Sequence, residues 1–221
     1  MMYKQWWKWI AVFLVFYSIV AGFLFSVPVK PILHETIRNL YFHVPMWFGM
    51  LVLYTVSVIY SIKYLSRSAV RDDLVAVESV NVGLFFSILG LITGMLWAKY
   101  TWGAYWSNDP KQNSAAIATL LYLAYLVLRS SIDEQQKRAK ISAVYNVFAF
   151  PVMLSLLFIL PRLTDSLHPG NGGNPGFNSY DLDKNMRVVF YPACLGWILF
   201  GVWLLTLRVR LRQLDYNNGT R

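Results

Sequence analysis

Apolar and polar residues fall along this chain in long blocks, without the short alternation of a half-buried strand. Six blocks, at 7–27, 44–65, 77–97, 114–128, 141–160 and 188–207, approach or exceed the ~20 helical residues that cross a bilayer core. The fourth is short by hydropathy alone, and Gln112 and Asn113 can extend it into the headgroup layer. The first follows Lys4 and Lys8, as in a secretory signal, but its apolar run is long and no A-x-A cleavage site follows, so it reads as a retained helix. The pattern predicts an all-α integral membrane protein, one domain of six transmembrane helices over residues 1–221.

Composition agrees: 57% hydrophobic residues, 14% charged and a mean hydropathy of +0.43 are too apolar for a soluble domain of this length. In a membrane chain the net charge of +9 reports orientation before it suggests nucleic acid, and no nucleic-acid partner is expected. Thirteen of the 20 Lys and Arg residues fall on the side of both termini and of the connections at 66–76 and 129–140. The excess of positive charge predicts cytoplasmic termini, with outward connections at about 28–43, 98–113 and 161–187. The inner connections are short, charged and free of aromatic residues, and no Walker sequence occurs, so a nucleotide-driven enzyme is not expected. The single cysteine, Cys194, excludes an intramolecular disulfide, a CxxC pair and a CxxCH haem-attachment site.

Candidate chemistry gathers in the outward connections. Trp102-Gly103-Ala104-Tyr105-Trp106-Ser107-Asn108-Asp109-Pro110-Lys111 sets three large rings where a linker needs none. Such rings either anchor the chain at the membrane interface or form a flat platform for a large planar ligand. All three histidines, His34, His43 and His168, lie in or beside the outward connections. His43 marks the start of the second helix, with Pro45 expected in its first turn, and His168 precedes a glycine-rich run that would let a ligand move away. A lone loop histidine is most often solvated, but His43 and His168 flank the aromatic stretch on adjacent connections. Haem, planar and apolar with two propionates, suits imidazoles, rings and nearby cations. Arg38, Lys99 and Lys111 either pair with propionates or meet water and lipid headgroups. Asp109 either orients a ring N–H or caps the fourth helix, the use its position favours. Gly90 and Gly94 form a GxxxG pattern suited to close helix packing. Thr93, Asn146 and a few serines make no water-filled path through the spans, which favours lateral access for a ligand.

Trp102-Gly103-x-Tyr105-Trp106-x-x-Asp109 resembles the tryptophan-rich WWD motif of cytochrome c maturation proteins, and the chain as a whole is similar to the haem exporter protein C (CcmC) family. The likeness extends to Arg38 through His43-Val44-Pro45, to Thr93-Gly94 and Trp97, and to Ser166-Leu167-His168. It implies six helices with both termini inside, the motif on the second outward loop, and His43 and His168 as the two axial ligands of a transiently held, non-covalent haem b. Arg38, Trp102, Gly103, Tyr105, Trp106 and Asp109 would complete that site. The implied setting is the periplasmic side of a bacterial inner membrane. The implied partners are membrane lipid, a periplasmic haem chaperone that receives the haem, and an ABC-type ATPase with further membrane subunits. His168 would be the ligand that leaves. Departures are Tyr105-Trp106 in place of a Trp-Trp pair, Asn108 in place of a third tryptophan, and Lys111 in place of an arginine, which keeps charge without the bidentate fork. Two other classes stay in view. One is a structural or permease subunit with anchoring aromatics only. The other is a membrane oxidoreductase subunit using haem or quinone, for which paired histidines within spans are missing.

Overall fold

The computed structural model describes residues 5–168 and 182–218. Its helices are α1 (Trp6–Leu24), α2 (Leu40–Arg67), α3 (Val70–Trp102), α4 (Pro110–Ser130), α5 (Gln135–Leu154) and α6 (Lys184–Asn217). All six belong to helical stretches long and apolar enough to cross a membrane. A 3₁₀ segment, His34–Asn39, leads into α2, while a π turn, Ser155–Ile159, and a 3₁₀ turn, Leu160–Arg162, prolong α5. The chain is thus the all-α, six-span membrane protein that the apolar blocks predict.

The helices outrun those blocks. The expected inner connection at 66–76 shrinks to Ser68 and Ala69, with Ser68 left-handed at φ 52°, because α3 already begins at Val70. Hydropathy leaves Asp72 and Asp73 in that connection and Glu78 at the start of the third apolar block, and all three are buried on α3. Each is held by arginine from another part of the chain. Arg67, at the end of α2, holds Asp72 at 2.6 and 3.0 Å. Arg129 of α4 grips Asp73 through two bonds of 2.7 and 2.6 Å. Arg208 and Arg212 of α6 share Glu78 at 2.5 and 2.9 Å. Paired in this way, the carboxylates avoid the cost of isolated buried charge.

At the other end of the bundle α2 begins before Val44, so His43 stands within the helix, and Pro45 falls in its second turn, not its first. α2 packs against α3, α5 and α6, and α1 lies along α6. Within the core the rings of Tyr54 and Tyr122 stack at 3.6 Å, and Asn146 donates to Ser57 and Ser61 at 2.7 and 2.9 Å. Asn146 thus ties α5 to two serines of α2, a usual use of such groups between membrane helices.

Candidate functional site

His43 is fixed by the C-terminal half of α3. Its Nδ1 lies 3.0 Å from the Gly90 carbonyl, which only accepts, so this nitrogen carries the proton and Nε2 keeps its lone pair. Thr93 Oγ1 is 3.2 Å from the same Nδ1. Trp47, one turn along α2, donates its indole N–H to Nε2 at 3.3 Å, and the Trp97 ring meets the imidazole edge-on at 5.9 Å. The GxxxG glycines make the space. A Cβ on Gly94 would stand 2.7 Å from His43 Cε1, and one on Gly90 would stand 2.8 Å from Trp47 Cε2. The pattern serves close packing of α2 on α3 by admitting two rings of α2.

The aromatic stretch begins inside α3: Trp102 is its last residue, and Gly103, at φ 85°, ends the helix in the left-handed conformation that glycine adopts without a Cβ penalty. Lys99 reaches over Tyr105 at 5.7 Å and donates to the Gly103 carbonyl at 3.0 Å. From α4, Gln112 Oε1 accepts from Ser107 N and Oγ, both at 2.9 Å, and Asn113 donates to the Asn108 carbonyl at 3.2 Å. Gln112 and Asn113, expected to lengthen a short span, lie in the first turn of α4 and also shape the loop. Tyr105 and Trp106 remain exposed, at 51% and 37%, so their rings face outward and are not consumed by the core.

Asp109 does both things the sequence offered it. As the residue before Pro110 it caps α4, accepting from Lys111 N at 2.9 Å. The same carboxylate accepts from His168 Nδ1 at 2.8 Å, Leu167 N at 2.7 Å and Ser166 Oγ at 2.9 and 3.1 Å. Burial alone would raise its pKa, but the bonds from His168, Leu167 and Ser166, with the charge of His168, outweigh it and hold the carboxyl well below the usual range. With Nδ1 turned to Asp109, Nε2 is the His168 nitrogen that points away from the carboxylate. Trp102 braces that ring edge-on at 4.7 Å.

Both imidazoles therefore rest on the C-terminal end of α3, His43 at Gly94 and Trp97, His168 at Trp102. Trp97 and Trp102 are ~7.5 Å apart along the helix axis. Arg38 is engaged elsewhere, donating to the Gly22 carbonyl at 3.0 Å and to Glu35 at 2.7 Å, and so ties the end of α1 to the segment before α2. His34 is exposed, at φ 42°. The glycine-rich run after His168 lies outside the described residues. Sequence reasoning passed over Trp47, counted Thr93 only within the family likeness, and gave Gln112 only a place at the end of a span. The i, i+4 spacing of His43 and Trp47 was the available signal for the first.

A family model described as "Heme exporter protein C" matches residues 1–220. A protein of that name from Bradyrhizobium diazoefficiens is 33% identical over 195 residues, 84% of this chain and 73% of the relative. Its namesake from Rhodobacter capsulatus is 28% identical over 201 residues, 87% of this chain and 79% of the relative. A shorter match, 42% identical over 76 residues, joins 34% of this chain to 24% of the cytochrome c biogenesis protein CcsA of Prochlorococcus marinus. With a six-helix membrane bundle and a family match over nearly its whole length, the chain belongs to the heme exporter protein C family.

Proposed function

We propose that this chain binds haem at the outer, periplasmic face of a bacterial inner membrane and passes it to a periplasmic haem chaperone during c-type cytochrome maturation. Family membership supports the broader role, handling haem for cytochrome c biogenesis. The observation that carries the specific reading is the convergence of His43 and His168 on one end of α3, each with Nδ1 held by an acceptor. That arrangement leaves Nε2 of both rings as the ligating nitrogen, and acceptors placed behind a metal-binding imidazole in this way fix its tautomer and orientation. Among the described residues no group of three or more His, Cys, Asp and Glu is placed to hold a metal ion. Two imidazoles are few for a bare transition metal but match an iron whose other four positions a macrocycle fills.

In this reading His43 and His168 bind the iron of a transient, non-covalent haem b, and Trp102, Tyr105 and Trp106 support the macrocycle. Arg38, Lys99 and Lys111 are the cations offered to the propionates, Arg38 and Lys99 by giving up bonds to backbone carbonyls. The ATPase and other membrane subunits of an ABC-type complex would supply energy, and the excess of basic residues puts both termini in the cytoplasm. The test is an absorption spectrum of detergent-purified protein, with and without reductant, for the wild type and for His43→Ala and His168→Ala. A bis-imidazole haem spectrum altered in both variants is expected. Haem retained unchanged in either variant would overturn the assignment. Replacing Trp102 and Trp106 together separates this role from membrane anchoring, which predicts lost insertion or stability with haem unaffected.

A further inference from the structure

His43 Nε2, the atom that would bind iron, is engaged by Trp47 at 3.3 Å. The two residues are four apart on α2 and so share one face; their rings meet edge-on, with centroids 6.0 Å apart and planes at 80°. Trp47 is held from behind by α3, since a Cβ on Gly90 would lie 2.8 Å from Cε2, 2.9 Å from Cζ2 and 3.2 Å from Nε1 of the indole. An indole has one donor and no acceptor. The neutral His43, its Nδ1 proton committed to Gly90, has one lone pair, on Nε2. The contact thus pairs the only donor of one ring with the only acceptor of the other.

We propose that Trp47 is a placeholder for iron: its N–H occupies the Nε2 lone pair of His43 in the haem-free protein, is displaced when haem binds, and returns when haem leaves. This rests on the reading of His43 as an axial ligand. One hydrogen bond breaks as one Fe–N bond forms, and no proton or electron moves, because the indole keeps its N–H and His43 keeps its Nδ1 proton. The displaced state is tolerable in this bundle, where the buried indole nitrogens of Trp197 and Trp203 have no hydrogen-bond partner. Competition at Nε2 lowers the hold on haem and gives the departing iron a replacement, which suits a protein that must release its cargo.

The test uses full-length, haem-free protein in detergent. Diethyl pyrocarbonate, which attacks unprotonated imidazole nitrogen, is applied to wild type and Trp47→Phe, and modification of each histidine is followed by peptide mass spectrometry. His43 should react about fivefold faster in the variant, as for loss of one net hydrogen bond, while His168 reacts at its wild-type rate. After loading with haemin, dissociation from Trp47→Phe should slow by a similar factor. Gly90→Ala, which pushes the intact indole aside, gives a second route to the same acceleration should Trp47→Phe fail to fold. Unchanged His43 reactivity in a folded variant overturns the proposal, as does faster haemin loss, which would make Trp47 a direct haem contact. A haem spectrum unaffected by His43→Ala removes the axial-ligand reading and the placeholder with it, even where reactivity rises.

Discussion

Asp109→Asn separates two roles that one carboxylate performs. In the wild type its two oxygens accept four donors: Lys111 N–H, Leu167 N–H, the Ser166 hydroxyl and His168 Nδ1–H. Asparagine caps a helix about as well as aspartate, so the start of α4 should hold. The amide, however, presents one oxygen and one NH₂ where two oxygens stood, leaving either Leu167 N–H or His168 Nδ1–H facing another donor. Hydrogen bonds to a charged group contribute about 1.5–3 kcal/mol and neutral ones about 0.5–1.5. Losing one and weakening the rest amounts to about 1.5–3 kcal/mol, or roughly 10–100-fold in haem affinity, the usual range when a metal-binding side chain loses the partner that orients it. Haemin titration of the detergent-purified variant, followed by absorbance and set beside its thermal unfolding, measures both effects. Affinity within twofold of wild type would refute the claim that Asp109 positions His168.

Three other outcomes follow from the same contacts. The pKa of Asp109 is lower in the folded protein than the ordinary value of 3.8, so its contribution is complete above that value and is lost as pH falls toward the folded pKa. The difference in thermal stability between wild type and Asp109→Asn should therefore stay level from pH 8 to 5 and shrink only below about pH 4; a loss beginning near neutrality would contradict the depressed value. Gly94→Ala places a methyl group 2.7 Å from His43 Cε1, and should displace that ring and weaken haem binding about tenfold or more, measured by the same titration. Glu78→Gln leaves Arg208 and Arg212 with a neutral partner. Since those arginine side chains are 46% and 32% exposed, water offsets part of the loss, and destabilisation of about 1–3 kcal/mol is expected in thermal unfolding. Its haem spectrum should not change, because residue 78 lies ~18 Å along α3 from residue 90.

Six spans were legible because long apolar blocks have few other uses, and the aromatic motif was legible because its rings stand between two such blocks. The ends of the helices were not. α3 starts seven residues before its apolar block, in a stretch where Asp72 and Asp73 look solvated until Arg67 and Arg129 are brought to them. Position alone identified Asp109 as a cap but could not disclose that His168, 59 residues later, would share the carboxylate. Likewise Gly90 and Gly94 announce close approach, and only the packing reveals that imidazole and indole are what approach.

α3 carries the rests of both histidines at one end and, at the other, the three carboxylates that fasten Arg67, Arg129, Arg208 and Arg212. Its 33 residues span ~50 Å as one uninterrupted rod without an internal proline. α6 is fastened to this rod through Glu78, and α4 through Asp73. α4 is doubly coupled, because Asp109 at its far end holds His168 directly. The supports of the two rings are thereby joined to α4 at both of its ends, through Arg129 and Asp73 at one and through Asp109 and His168 at the other.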